Sequence, residues 1–358
     1  MKQRREALGL FITDIHLNKD NIELIKDLFN QLVNICIQLG IKRIFCGGDI
    51  FTNRSGQPLS CLTAFKEILE LLKSQGISLV AIPGNHDKTD GDDERSYLDV
   101  YTDCNFEICR EGKVKIYPGA VIAFIPYFQD ERWLEEYRKV EDLIESMRIE
   151  HDIDDSYHTI LITHSGFDGV MNNDGSKVES IIKPSMFADW DKVLIGHYHN
   201  ASKLAENVVY TGSLYQNDYG ETITDKGATL LFTDGTTRHL DLRFPRYIKE
   251  VLDVNDTDTL RNLIDKYEGE DYDHVRFVFK GSKVDANKVD TAALAQLGID
   301  ARFEAIETDE AIASALSETD AIMSCSRKSI MRDFTKFCAE NKIRGRHLKY
   351  GLQLIKTI

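Results

Sequence analysis

A layered α/β fold is predicted by three features of this 358-residue chain. Over the first two hundred residues one unit recurs: a short β-branched apolar run, a polar or glycine-containing loop, then a longer stretch with apolar residues every three or four positions. The apolar runs are nearly continuous rather than alternating, as in strands covered on both faces. A composition of 42% hydrophobic and 29% charged residues supplies a packed core, and the length exceeds what one core fills, which predicts two or three domains.

The predicted strands of the large domain are 8–13, 43–46, 78–82, 121–125, 159–163 and 192–195. Helices are predicted over 22–39 and 62–72 from their apolar spacing, and over 132–150 as a highly charged third helix. After His199 the pattern shifts to short strands with turn signals near 208–210, 228–232 and 237–242, which predicts a second sheet. A new unit begins near Arg246, with strands 247–254, 275–280 and 301–306 separated by helices 258–267 and 286–297. The C-terminal segment is helical and basic, with Ile330, Phe334, Phe337 and Cys338 on one face. The domain limits are 1–243, 244–307 and 308–358.

Charge and cysteine content narrow the function classes. The seven cysteines form no C-x-x-C pair, so neither a disulfide framework nor a thiolate zinc site is predicted. No run approaches the roughly 18 apolar residues of a spanning helix, and no signal-peptide pattern opens the chain, so a cytoplasmic protein is expected. The net charge of −15 argues against direct capture of a polyanion, whose affinity for proteins comes mainly from lysine and arginine. Residues 327–358 are the exception, with nine basic and two acidic side chains. That tail is either a solvated helical face or a surface that meets DNA or an acidic partner.

Chemistry concentrates at the strand ends. Asp14 and His16 follow the first predicted strand, Asp49 the second, and Asn85, His86 and Asp87 the third, while His164 and the pair His197 and His199 follow the last two. Ligands of open α/β sheets bind at the carboxyl ends of strands, so five distant segments converge on one place. Taken singly, such an aspartate is a helix cap and such a histidine a satisfied core residue; seven in register, with Gly47, Gly48, Gly84 and Gly196 beside them, are a ligand set. Carboxylate, imidazole and amide donors without thiolate suit manganese, iron or zinc, and their number suffices for two ions. Two ions sharing a carboxylate serve phosphoester hydrolysis.

The ordered set D-x-H, G-D, G-N-H-D, H, G-H-x-H resembles the calcineurin-like metallophosphoesterase superfamily over residues 8–199. That resemblance implies a four-layer α/β/β/α core and two divalent ions, manganese being the expected one. One ion would be held by Asp14, His16, Asp49 and His199 and the other by Asp49, Asn85, His164 and His197. His86 would be the general acid for the leaving oxygen, and Asp87 would either orient its imidazole or cap the loop.

Within the superfamily, the segment after Gly-Asp reads Ile-Phe-Thr-Asn-Arg and lacks the V-D-R-G of the Ser/Thr phosphatases. Residues 209–221, Val-Tyr-Thr-Gly-Ser-Leu-Tyr-Gln-Asn-Asp-Tyr-Gly-Glu, are similar to the Y-x-G-S and F-G-E segment of SbcD-type double-strand-break repair exonucleases. This resemblance implies a DNA exo- and endonuclease with a small α/β capping domain. It also implies C-terminal helices that dock on an SbcC-type ATPase, and a homodimer for which helix 62–72 is a candidate face. Thr52 stands where several relatives carry a histidine. The competing readings are a small-nucleotide phosphodiesterase and a non-catalytic scaffold of the same fold.

Overall fold

The computed structural model describes residues 6–101, 105–154, 156–172, 176–222, 224–267, 273–305 and 334–338. They fall into two compact units: the first runs to Ile248 and takes in Asp273 and His274, and the second holds the chain from Lys249 and again from Val275 onward.

In chain order the first unit contains β1 (Ala7–Ile12), α1 (Ile22–Leu39), β2 (Arg43–Cys46), α2 (Leu59–Ser74), β3 (Ser78–Ala81), β4 (Phe106–Ile108), β5 (Lys113–Tyr117), β6 (Ala120–Ile125), α3 (Asp130–Glu150), β7 (His158–His164), β8 (Lys192–Gly196), β9 (Ser202–Lys203), β10 (Val208–Tyr210), β11 (Gly227–Phe232) and β12 (Thr237–Asp241). Two six-stranded sheets result, ordered β12-β11-β1-β2-β3-β4 and β5-β6-β7-β8-β10-β9. Strands β1 to β4 are mutually parallel, as are β6, β7, β8 and β10, so the ligand-bearing ends of each group point the same way.

Three separate apolar cores make four layers. Helix α1 buries Ile25, Leu28, Phe29, Leu32, Val33 and Cys36, the three- and four-residue spacing of one helix face, and packs with α2 on the outside of the first sheet. Helix α3 buries Trp133, Tyr137, Val140 and Ile144 on the outside of the second. Between the sheets lie Phe11, Phe45, Val80, Ile122, Phe124, Ile162 and Leu194. Strands β1, β2, β7 and β8 are thus covered on both faces, which is why they read as unbroken apolar runs. Polar groups at this depth must be paired: the Trp133 indole donates to Thr163 Oγ1 at 2.9 Å, and that hydroxyl donates to the Ile125 carbonyl.

One expectation is corrected. The strands after His199 do not form a sheet of their own: β10 extends the second sheet beside β8, and β11 and β12 complete the first beside β1. The apolar stripe of 62–72 falls within α2, where Cys61, Ala64, Phe65, Ile68, Leu69 and Leu72 are buried in the first core.

The second unit is built on a three-stranded sheet, β13 (Tyr247–Asp253), β14 (His274–Gly281) and β15 (Ile299–Ala305), with α4 (Thr257–Tyr267) and α5 (Thr291–Gln296). The single helix expected over 286–297 is split. A 3-10 turn spans Lys283–Lys288, and Asp290 then starts α5 by accepting from the Ala293 amide at 2.9 Å. The predicted helical segment 308–358 lies outside the described residues except for 334–338, which are helical. Cys36, Cys46, Cys61, Cys109 and Cys338 are buried free thiols, and Cys104 and Cys325 lie outside the described residues. Among the described residues no helix is long and apolar enough to cross a membrane.

Candidate metal centre

Four of the seven predicted ligands stand in left-handed backbone: Asp14 at φ 53°, His16 at φ 49°, Asp49 at φ 53° and His197 at φ 101°. Non-glycine residues pay for that conformation, and they keep it only where surrounding bonds hold it. Here the loops after β1 and β2 are laced together by Asp14 N to Gly48 O and His16 N to Asp49 O, both 3.0 Å, and by Leu17 N to Ile50 O at 2.8 Å. The neighbouring glycines are required by close approach. Gly48, at φ 101°, leaves no room for a Cβ, which would sit 2.6 Å from His164 Nδ1; a Cβ on Gly84 would run into the Asp49 carboxylate and amide.

These loops bring the donor atoms into two groups, Asp14, His16 and His199, and Asp49, His164 and His197, within 4.8 Å of one another in each. In the first, His16 Nε2 and His199 Nε2 face each other at 2.8 Å, with Asp14 Oδ1 3.9 and 4.0 Å from them. In the second, Asn85 Oδ1 lies 3.0 Å from His164 Nε2 and 2.9 Å from His197 Nδ1. Asp49 Oδ2 reaches both groups, 3.7 Å from His16 Nε2 and 3.4 Å from His164 Nε2. His16, Asp49, Asn85, His86, His197 and His199 line a cleft of about 690 Å³, while Asp14 and His164 lie beneath, fully buried.

This donor set fits two divalent cations. Donors bonded at about 2.0–2.2 Å to one ion stand roughly 3 to 4 Å apart, the separations found here. Asp14 and Asp49 are 0% and 2% exposed, and among the described residues their ion-pair partners are histidines alone. Two buried carboxylates in that setting call for positive charge. Burial pushes the imidazoles of His16 and His197 down to about 4, which makes them neutral donors. Burial works in the same direction on His164, but Asp49 beside it wins and holds its proton up to about 9, in the place a cation would take.

The far side of each imidazole is fixed. His164 Nδ1 donates to the Gly47 carbonyl at 2.7 Å, which turns Nε2 inward. His199 Nδ1 meets Glu221 Oε1 at 2.5 Å, and Glu221 Oε2 in turn takes Lys226 Nζ at 2.7 Å. Glu221 and Lys226 have side chains 1% and 0% exposed. Glu221 was read from the sequence only as part of a substrate signature; the structure shows that it supports a candidate ligand. Spacing gives no hint of this, because Glu221 lies 22 residues from His199 on an irregular strap.

Asp87 is a clamp for the loops. Its carboxylate accepts from Gly84 N at 2.9 Å, Ile50 N at 3.2 Å and Phe51 N at 3.0 Å, and it is fully buried. The orienting role once open to it falls to Thr52, whose carbonyl takes His86 Nδ1 and whose hydroxyl donates to the His16 carbonyl at 2.7 Å. His86 Nε2 stays on the cleft, with Arg54 Nη2 3.4 Å away. Arg54, missed in the sequence reading, is the only lysine or arginine among the described residues that line the cleft.

The profile of the calcineurin-like phosphoesterases matches residues 10–201, more than half of the chain. The chain belongs to this family. The phosphoesterase region therefore holds every candidate ligand, and members of the family hydrolyse phosphoester bonds with divalent metals. Among individual proteins, the chain is similar to the DNA double-strand break repair protein Mre11 of Saccharolobus solfataricus, 37% identical over 84 residues. That match spans 22% of each chain. It is also similar to a putative phosphoesterase, 078R, of Invertebrate iridescent virus 3, 20% identical over 79% of this chain and 78% of the relative. A crystal structure of a protein of unknown function from Aquifex aeolicus matches 45% of this chain and 81% of its own, at 20% identity and a TM-score of 0.23.

Proposed function

We propose that this phosphoesterase is a manganese-dependent nuclease that hydrolyses phosphodiester bonds at DNA ends. The observation that carries the reading is the pair of donor groups sharing Asp49, with His86 and Arg54 beside them on one open cleft. Support for DNA comes from the likeness of residues 209–221 to SbcD-type exonucleases and from the partial similarity to Mre11.

Asp14, His16, Asp49 and His199 would hold one ion, and Asp49, Asn85, His164 and His197 the other. When bound, such a pair polarises the phosphoryl oxygens and acidifies a water. The chain supplies the rest. Arg54 neutralises the phosphate at the mouth of the cleft, as a guanidinium does with paired donors. A carbonyl only accepts, so the bond from His86 to Thr52 puts a proton on Nδ1; in the imidazolium form the second proton sits on Nε2, and that is the one handed to the leaving oxygen, which leaves the neutral Nδ1–H tautomer behind.

A net charge of −15 opposes DNA binding unless positive surface is added, which argues for a basic partner or for the basic C-terminal residues as the contact. We infer that residues 309–358 dock an SbcC-type ATPase. Deleting them should abolish co-purification with that ATPase and leave hydrolysis of a simple phosphodiester intact; retained co-purification removes the idea. The nuclease reading is tested with end-labelled duplex DNA and manganese, with and without the ATPase. Wild type should degrade the duplex and Asp49→Ala and His86→Ala should not. Equal activity in all three would end the proposal.

A further inference from the structure

One wall of the cleft takes no part in the chemistry described above. It carries Tyr215, Asn217, Pro245, Tyr247 and His274, and among the described residues it contains no lysine or arginine, so it offers a phosphate no guanidinium or ammonium charge. It offers flat rings instead. Tyr247 and His274 are stacked with centroids 4.5 Å apart and planes at 27°, and Tyr219 meets Tyr247 edge-on at 5.0 Å. His274 is exposed and Tyr247 half-buried, so an ordered aromatic pair stands at the edge of the cleft with a face available to water.

The pair is tied to the metal centre by a buried amide. Gln216, 2% exposed, accepts from Tyr247 N through Oε1 at 2.8 Å and donates through Nε2 to Tyr247 O at 3.0 Å, pairing with that backbone as a neighbouring strand would. The same Nε2 donates to Glu221 O at 2.9 Å, and Glu221 is the residue that fixes His199. On the other side, His274 N donates to Arg246 O at 2.7 Å, and Asp273 accepts from Arg246 N at 2.8 Å. The rings are therefore ordered before any ligand arrives, and their position is set relative to His199. Pre-ordered aromatic surface binds a planar group without a large entropy loss on binding.

We propose that Tyr247 and His274 form a stacking subsite for one nucleobase of the substrate, adjoining the phosphate site at the metal centre. The inference rests on the nucleic-acid reading of the cleft and adds to it the group that recognises the base. Stacking on aromatic side chains tolerates every base, so this subsite favours nucleotides over other phosphoesters without selecting sequence.

The test is calorimetric binding to the manganese-loaded protein of two ligands that differ only in the base, 2′-deoxyguanosine 5′-monophosphate and 2-deoxyribose 5-phosphate. Wild type should bind the nucleotide about fivefold or more tighter. Tyr247→Leu and His274→Ala should bring the ratio of dissociation constants toward one, and Tyr247→Phe, which keeps the ring, should preserve it. Equal affinities in wild type, failure of the nucleotide to bind, or a preference unmoved by both ring-removing substitutions overturns the subsite. A protein that degrades duplex DNA yet binds both ligands equally loses only the subsite. One that prefers the nucleotide but leaves DNA intact keeps the subsite and loses the DNA reading.

Discussion

Glu221 Oε1 stands 2.5 Å from His199 Nδ1, and its other oxygen closes a buried ion pair with Lys226. Lys226 also donates to the His199 carbonyl at 2.6 Å and to Ser213 Oγ at 2.8 Å, so one cation secures the ligand's backbone and the acid that orients its ring. Burial opposes the charge on Glu221, but the bond to His199 and the Lys226 ammonium hold its carboxyl down to about 2.

Replacing Glu221 with glutamine keeps the shape and removes the charge that fixes the imidazole. Manganese affinity should fall by about 10- to 100-fold, as for other groups that support metal ligands. Glu221→Ala should also leave Lys226 buried without its acid and cost about 3–5 kcal/mol of stability. Metal titration and denaturant melts of the two variants separate these effects; unchanged metal affinity in Glu221→Gln would show that His199 needs no such support.

Asp87→Asn distinguishes a clamp from a catalytic group. One amide oxygen cannot replace a carboxylate that accepts from Gly84, Ile50 and Phe51, so stability should drop by about 1–3 kcal/mol. Metal affinity should weaken with it, because the clamped loops carry Asp49 and Asn85. A lowered kcat with wild-type stability and metal binding would instead mark Asp87 as part of the proton path.

For His86→Asn the opposite pattern is expected. Both ions should still bind, because His86 belongs to neither donor group, while kcat on a poor leaving group falls by about a hundred- to ten-thousandfold. The deficit should shrink with p-nitrophenolate, which leaves without a proton. Equal losses on both substrates would deny His86 its role as the acid.

Gly84→Ala should be among the most damaging small substitutions in the chain, since the added methyl meets Asp49 itself. Expected outcomes are a lower Tm and loss of tight metal binding, read by calorimetry against Gly76→Ala. Gly76 has open space around it and only its φ of 65° to strain, so it should keep its metal.

Chelation should destabilise the phosphoesterase region. Ions that bind only the folded chain contribute about 2.7 kcal/mol at a hundred times their dissociation constant, so Tm should rise with manganese and fall back with EDTA. In Asp49→Asn that dependence should be nearly flat.

Much of this candidate site is legible in the sequence because the candidate ligands sit where strands end, and the strands that carry them are buried on both faces and hence continuous in their apolar pattern. Arg43–Cys46 and Ile22–Leu39 fall where the sequence predicts them for that reason. Strands β4, β5 and β9 were not foreseen; they are short edge or near-edge pieces whose formation depends on pairing with β3, β6 and β10 rather than on their own residues. The left-handed backbone at Asp14, His16, Asp49 and His197 is likewise imposed by bonds between loops. Glu221, Arg54 and the function of Asp87 depend on contacts across 22 to 37 residues, which no local pattern encodes.

A two-ion phosphodiesterase centred on Asp49 is read out by hydrolysis of bis(p-nitrophenyl) phosphate by metal-stripped protein titrated with manganese. Activity should be absent at the start, rise to a plateau at two equivalents per chain, and stay absent in Asp49→Asn. Turnover by the stripped protein, a plateau at one equivalent, or wild-type rates in Asp49→Asn would contradict it.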